Sequence, residues 1–118
     1  MLIKHLRQTK PTNCGQTVIA MLFNIDIEMA ERLVGHDDVT TENEILNILK
    51  KHDLVYEIRP QGLPNLNRGA IWLELRKNPK NSKQKHWTLL VNGDIIDPAR
   101  RNVEELWPVE KFWMLKWD

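Results

Sequence analysis

The chain has 118 residues, 42% of them hydrophobic, which suits one domain built around one core. Lys and Arg number 17 against 16 Asp and Glu, a net charge of +1, so no overall field steers the protein to nucleic acid or an acidic membrane. The single cysteine, Cys14, excludes an internal disulfide framework and a cysteine-rich zinc module. The longest largely apolar stretch, Val18 to Ile25 with only Asn24 interrupting it, falls far short of the roughly 20 residues that cross a bilayer. Met1 to Arg7 lacks the long apolar run of a secretory signal. The expectation is one cytoplasmic domain over residues 1–118, away from membranes, with one thiol to explain.

Helical periodicity begins after Pro11-Thr12-Asn13, where Val18, Ile19, Leu22 and Ile25 recur at helical spacing. Asn13 is the expected N-cap, with Gln16 reaching back in a loose capping box, so Cys14 and Gly15 fall in the first turn. A second helix starts near Asp26, carries Ile27, Ala30, Leu33 and Val34, and stops at Gly35. A third begins at the capping box Thr41-Glu42-Asn43-Glu44. Its core face is Ile45, Ile48 and Leu49, and Lys50-Lys51-His52 suit its negative end.

The pattern then changes to strands. Leu54 to Ile58 reads as a strand cut off by Pro60, and Gln61 to Arg68 as a loop. Ala70 to Leu75 is an apolar run of strand length, suited to burial on both faces. His86 to Val91 and Asp94 to Asp97 flank Asn92-Gly93, a strong hairpin signal because both turn residues tolerate positive φ. Lys111 to Trp117 is the last strand. Helices first and antiparallel strands after them predict an α+β fold, with the helices packed on a sheet of four to five strands.

Three features point to chemistry. A helix N-terminus around Cys14 offers unpaired N–H groups and a positive dipole end, which favour thiolate over thiol. Gly15 beside it leaves room for a substrate backbone. A two-residue Asn92-Gly93 turn pairs Val91 with Asp94, Leu90 with Ile95 and Thr88 with Asp97, and sets His86 opposite Ala99. His86 and Asp97 then share a face as diagonal neighbours, roughly 7 Å apart at Cβ or somewhat less, within reach of imidazole and carboxylate. A carboxylate on one ring nitrogen fixes the tautomer and raises the basicity that a general base requires. Gln8, six residues before Cys14, has a neutral carboxamide suited to donating to a transient oxyanion.

Gln8, then Asn13-Cys14-Gly15 opening an apolar helix through Ile25, then His86 opening a strand and Asp97-Pro98 ending the next, resemble the C39-type papain-like cysteine peptidases over residues 8–25 and 86–98. The chain departs from that pattern at Asn13, often acidic, at Gln16, often small, and at Asn24-Ile25-Asp26, often an aromatic-glycine pair. The resemblance implies a papain-like cysteine peptidase fold. It assigns Cys14 as nucleophile, His86 as general base, Asp97 as the residue orienting His86, and Gln8 as oxyanion donor. A peptide or amide bond of a peptide or protein substrate would be cleaved through a thioester, with no cofactor and no metal. An acyltransferase or deamidase on the same triad, and a catalytically silent peptide-binding module of the same fold, are the alternatives.

The remaining residues have plainer readings. His5, His36 and His52 are ordinary polar positions, and His36-Asp37-Asp38 is not expected to hold a metal. Arg76 to Lys85 reads as a solvated hairpin loop, or alternatively as a basic rim attracting an acidic peptide or a phosphate backbone; nucleic acid is not the expected partner. Most of Trp72, Trp87, Trp107, Trp113 and Trp117 are read as core and sheet-face packing.

Overall fold

A computed structural model describes residues 3–52, 55–59, 71–100 and 105–115. Among these, three helices, α1 (Cys14–Phe23), α2 (Ile27–Val34) and α3 (Glu42–Lys51), precede five strands, β1 (Val55–Arg59), β2 (Ile71–Asn78), β3 (Asn81–Val91), β4 (Asp94–Ile96) and β5 (Val109–Leu115). The strands form one sheet in the order β1-β5-β2-β3-β4, with every neighbouring pair antiparallel. The fold is therefore α+β. Among the described residues no helix is long and apolar enough to cross a membrane.

Helix α1 is buried from Cys14 through Leu22 and forms the centre of the helical layer. It ends at Phe23, short of Ile25, because Asn24 adopts the left-handed conformation (φ 54°, ψ 49°) that ends helices. Asp26 then caps α2 by accepting from the Met29 amide, and Gly35 (φ 97°) closes it. Ala30 is fully buried, with Ile27 and Val34 packed against the core beside it, whereas Leu33 is 48% exposed and lies outside the expected core face. In α3 the Thr41 hydroxyl accepts from the Glu44 amide and the Glu44 carboxylate accepts from the Thr41 amide, completing the box. Its fully packed residues are Ile45, Leu46 and Leu49, with Ile48 at the margin of the core.

The sheet has two packed faces. Ile71, Leu73, Leu75, Trp87, Leu89, Trp113 and Leu115 meet α1 and α3 in the main core. Trp72, Leu90 and Phe112 form a smaller cluster by alternation, with the Trp72 and Phe112 rings edge-on at 5.4 Å. Ile71 to Arg76 are all buried, as a strand covered on both faces requires.

The Arg76–Lys85 segment is not a loop. Arg76 and Lys77 belong to β2 and pair with His86 and Lys85 of β3, so only Pro79 and Lys80 turn. Arg76 is buried because Glu74 sits two residues back on the same face. Its guanidinium donates to the Glu74 carboxylate (3.1 Å), the Thr88 hydroxyl (2.9 Å) and the Trp107 carbonyl (2.9 Å). Arg76 therefore drops out of any basic rim, leaving Lys80 and Lys83 exposed at the hairpin end. Strand β1 begins at Val55 and β5 at Val109. The expected loop Gln61–Arg68, together with Leu54, Ala70 and Trp117, lies outside the described residues.

Candidate active site

Cys14 is the first residue of α1, and the start of that helix departs from the expected capping box. Asn13 occupies the N-cap position, yet its side chain makes no cap. Its Oδ1 accepts from the Lys10 amide (3.1 Å) and its Nδ2 donates to the Thr9 hydroxyl (2.9 Å). Gln16 does not reach back either, since its Nε2 donates to the carbonyls of His36 (2.9 Å) and Asp38 (2.8 Å). Both residues are fully buried, and each amide side chain satisfies loop groups that have no ladder of their own. The first turn carries no acid. The positive end of α1 is thus left to the sulfur, with neither a carboxylate nor the N-cap side chain competing for it.

Gly15 is needed for a different reason from the one expected. A Cβ there would lie 2.6 Å from both Cβ and Oγ1 of Thr40. The space beside Gly15 is filled by Thr40, not kept for substrate. Thr40 in turn accepts the Trp87 indole N–H on its carbonyl (3.1 Å), which joins α1, the start of α3 and β3 in one contact.

The β3–β4 hairpin has the expected register, with Val91 opposite Asp94, Leu90 opposite Ile95 and Leu89 opposite Ile96. Asn92 (φ 51°) and Gly93 (φ 88°) both take the left-handed conformation that a tight hairpin demands. Strand β4 ends at Ile96, and beyond it His86 Nε2 meets Asp97 Oδ1 at 2.5 Å. Both are buried, at 5% and 3% exposure, and Cys14 is 6% exposed.

Burial pushes the His86 imidazolium down most strongly. The hydrogen bond that His86 donates to Asp97, the interaction with Cys14 and the charges of both outweigh it and lift the ring to about 9. Because Nε2 is committed to Asp97, Nδ1 is the nitrogen left for the sulfur. Thiol, imidazole and carboxylate from α1, β3 and the end of β4 therefore form one connected line. Such a line can move a proton from sulfur to ring and hold the resulting charge.

Gln8 sits at the edge of this site because its amide donates to the Pro98 carbonyl (2.8 Å). Its carboxamide Nε2 donates to the Lys10 carbonyl (2.9 Å), and among the described residues no hydrogen bond joins it to Cys14 or His86. Two residues with no motif of their own also touch the site. His5 Nε2 donates to the Asp97 carbonyl (2.7 Å), and Arg100 donates to the His5 carbonyl (3.1 Å). His5 lies 92 residues from Asp97, so no local pattern marks it.

The other histidines have structural partners. His36 meets Glu44 at 2.5 Å, and the His52 ring lies 4.9 Å from Phe23. Among the described residues no three His, Cys, Asp or Glu converge as metal ligands. Trp72, Trp87 and Trp113 are buried, and Trp107 is half-buried. Compared with models of protein families and with curated proteins, the chain matches none.

Proposed function

We propose that this protein is a thiol hydrolase with a papain-like fold, similar to the C39-type peptidases, that cleaves a peptide or amide bond. The observation that carries the reading is the convergence of Cys14, His86 and Asp97 from three separate elements, with His86 hydrogen-bonded to Asp97, the thiol beside its ring and all three nearly closed to water. A histidine held as imidazolium up to about 9 is the partner that a thiolate requires at neutral pH.

In this mechanism His86 takes the Cys14 proton and Sγ attacks the carbonyl carbon, forming the S–C bond. The oxyanion lies at the open N-terminus of α1, where the Cys14 N–H donates, joined by the Gln8 carboxamide when it turns from Lys10. His86 returns the proton to the departing amine as the C–N bond breaks. Water, deprotonated by His86, then releases the acid from the thioester.

A second reading, a silent peptide-binding module with the same fold, draws support from one contact: the Gln8 carboxamide is spent on the Lys10 carbonyl. Iodoacetamide labelling across pH separates the two. A hydrolase shows Cys14 alkylated in the folded protein below pH 7, and His86→Ala abolishes that reaction. A Cys14 that reacts only when the protein unfolds overturns the hydrolase reading.

A further inference from the structure

Asp97 lies one residue past the last pair of the β3–β4 ladder, Leu89 with Ile96. Pro98 follows it and has no N–H with which to continue the pairing. The hairpin that brings Asp97 to His86 therefore stops before it reaches Asp97. Other contacts must hold the carboxylate at 2.5 Å from the ring.

Those contacts come from the chain's beginning. His5 Nε2 donates to the Asp97 carbonyl (2.7 Å), and the Gln8 amide donates to the Pro98 carbonyl (2.8 Å). Arg100 closes the loop by donating its guanidinium to the His5 carbonyl (3.1 Å) and its amide to the Asp97 carbonyl (2.9 Å). Asp97 Oδ1 accepts from the Ala99 amide (2.9 Å) as well as from His86. Both ends of Asp97, its carbonyl and its carboxylate, are thus fixed by two donors each. Arg100 holds a left-handed backbone (φ 54°) to complete this turn, a conformation that a non-glycine residue adopts only where the surroundings hold it.

We propose that residues 5–8 form a strap that sets the Asp97 carboxylate against His86, and that His5 is a positioning residue for this pair. The ring works through a carbonyl, which only accepts, so its Nε2 carries a proton in the working state. The strap also bears Gln8, so one segment tunes both the acid that orients His86 and the edge of the site where an oxyanion would form. The positioning role rests on the hydrolase reading for its purpose. Its test does not, because it reads the His86 ring directly.

The experiment is an NMR titration of the His86 ring in the full chain, comparing wild type with His5→Ala, His5→Gln and Arg100→Gly. His5→Ala lowers the His86 midpoint by about one pH unit, tenfold in the imidazolium equilibrium, because the carboxylate drifts from the ring. His5→Gln keeps a donor near the Nε2 position and restores the wild-type midpoint. Arg100→Gly keeps the left-handed turn, removes the side chain whose guanidinium holds the His5 carbonyl, and gives a smaller shift in the same direction. An unmoved midpoint in folded His5→Ala overturns the strap. Should His5→Ala not fold, a midpoint in Arg100→Gly equal to wild type overturns it. A strap that fails while wild-type Cys14 still alkylates below pH 7 leaves the hydrolase reading standing. A midpoint that moves while Cys14 stays inert leaves the strap standing and removes the hydrolase.

Discussion

Helices α1 and α3 have the same length, ten residues, and begin in opposite ways. Helix α3 opens with a reciprocal capping box and two acids in its first turn, so its orphan N–H groups and its dipole are both answered. Helix α1 opens with an N-cap whose side chain is turned to the loop behind it, and with no acid at all. Cys14 comes directly after that N-cap, and the His86 ring lies beside the sulfur. One helix start is devoted to stability and the other leaves its donors and its positive end to a thiol. Each can be broken separately, and the consequences differ.

The largest effect is expected where the α1 site depends on charge. Asp97→Asn keeps the shape and removes the carboxylate, so the His86 ring falls from about 9 toward its ordinary 6.5. Alkylation of Cys14 at pH 6 drops by about 10²-fold or more, in the range that loss of a positioned acid–base partner produces. The same variant changes stability with a defined sign. A histidine whose ring is raised in the folded state adds stability in full below about 6.5, and that stability is lost as the pH rises through 9. Wild-type thermal midpoints therefore fall between pH 6.5 and 9 more steeply than those of Asp97→Asn. Equal slopes would separate the raised ring from Asp97.

Whether a feature can be read from sequence depends on how local its cause is. The α3 box, the start of α2 at Asp26 and the Asn92-Gly93 turn are settled within four residues, and each appears where the spacing predicts. The His86–Asp97 contact is within reach too, because a two-residue turn propagates its register along both strands. The α1 cap departs from its spacing for a physical reason. Asn13 and Gln16 have the right chemistry for a box, but both are fully buried, and loop groups at Thr9, Lys10, His36 and Asp38 compete for the same amides. Arg76 fails as a loop residue because its partners, Glu74 and Thr88, become neighbours only once the strands pair. His5 gives no signal whatever.

A change of intermediate size falls at Gly15. Its hydrogen faces Thr40 with no room for a methyl group, so Gly15→Ala forces Cβ into Thr40 Cβ and Oγ1 at 2.6 Å. The expected loss is about 1–3 kcal/mol, the usual penalty of overpacking a filled site. Thr40→Gly in the same chain recovers part of it, and the double-mutant cycle in chemical denaturation shows a favourable coupling. Additive losses would mean that the glycine serves something other than this contact.

The smallest effect belongs to α3 and gives the comparison its control. Thr41→Ala deletes the hydroxyl that caps the Glu44 amide and costs about 1 kcal/mol in urea unfolding. Its neighbour Thr40 still touches Gly15 and still accepts the Trp87 indole, so the α1 start is not disturbed. Cys14 alkylation in folded Thr41→Ala should therefore keep the wild-type pH profile while stability falls. Asp97→Asn, by contrast, should change the alkylation profile and also give up the stability that the raised His86 ring contributes below pH 9. A Thr41→Ala variant whose alkylation profile shifts would show that the two helix starts act together, and that the uncapped end of α1 draws on the capped end of α3 through the Thr40 contact.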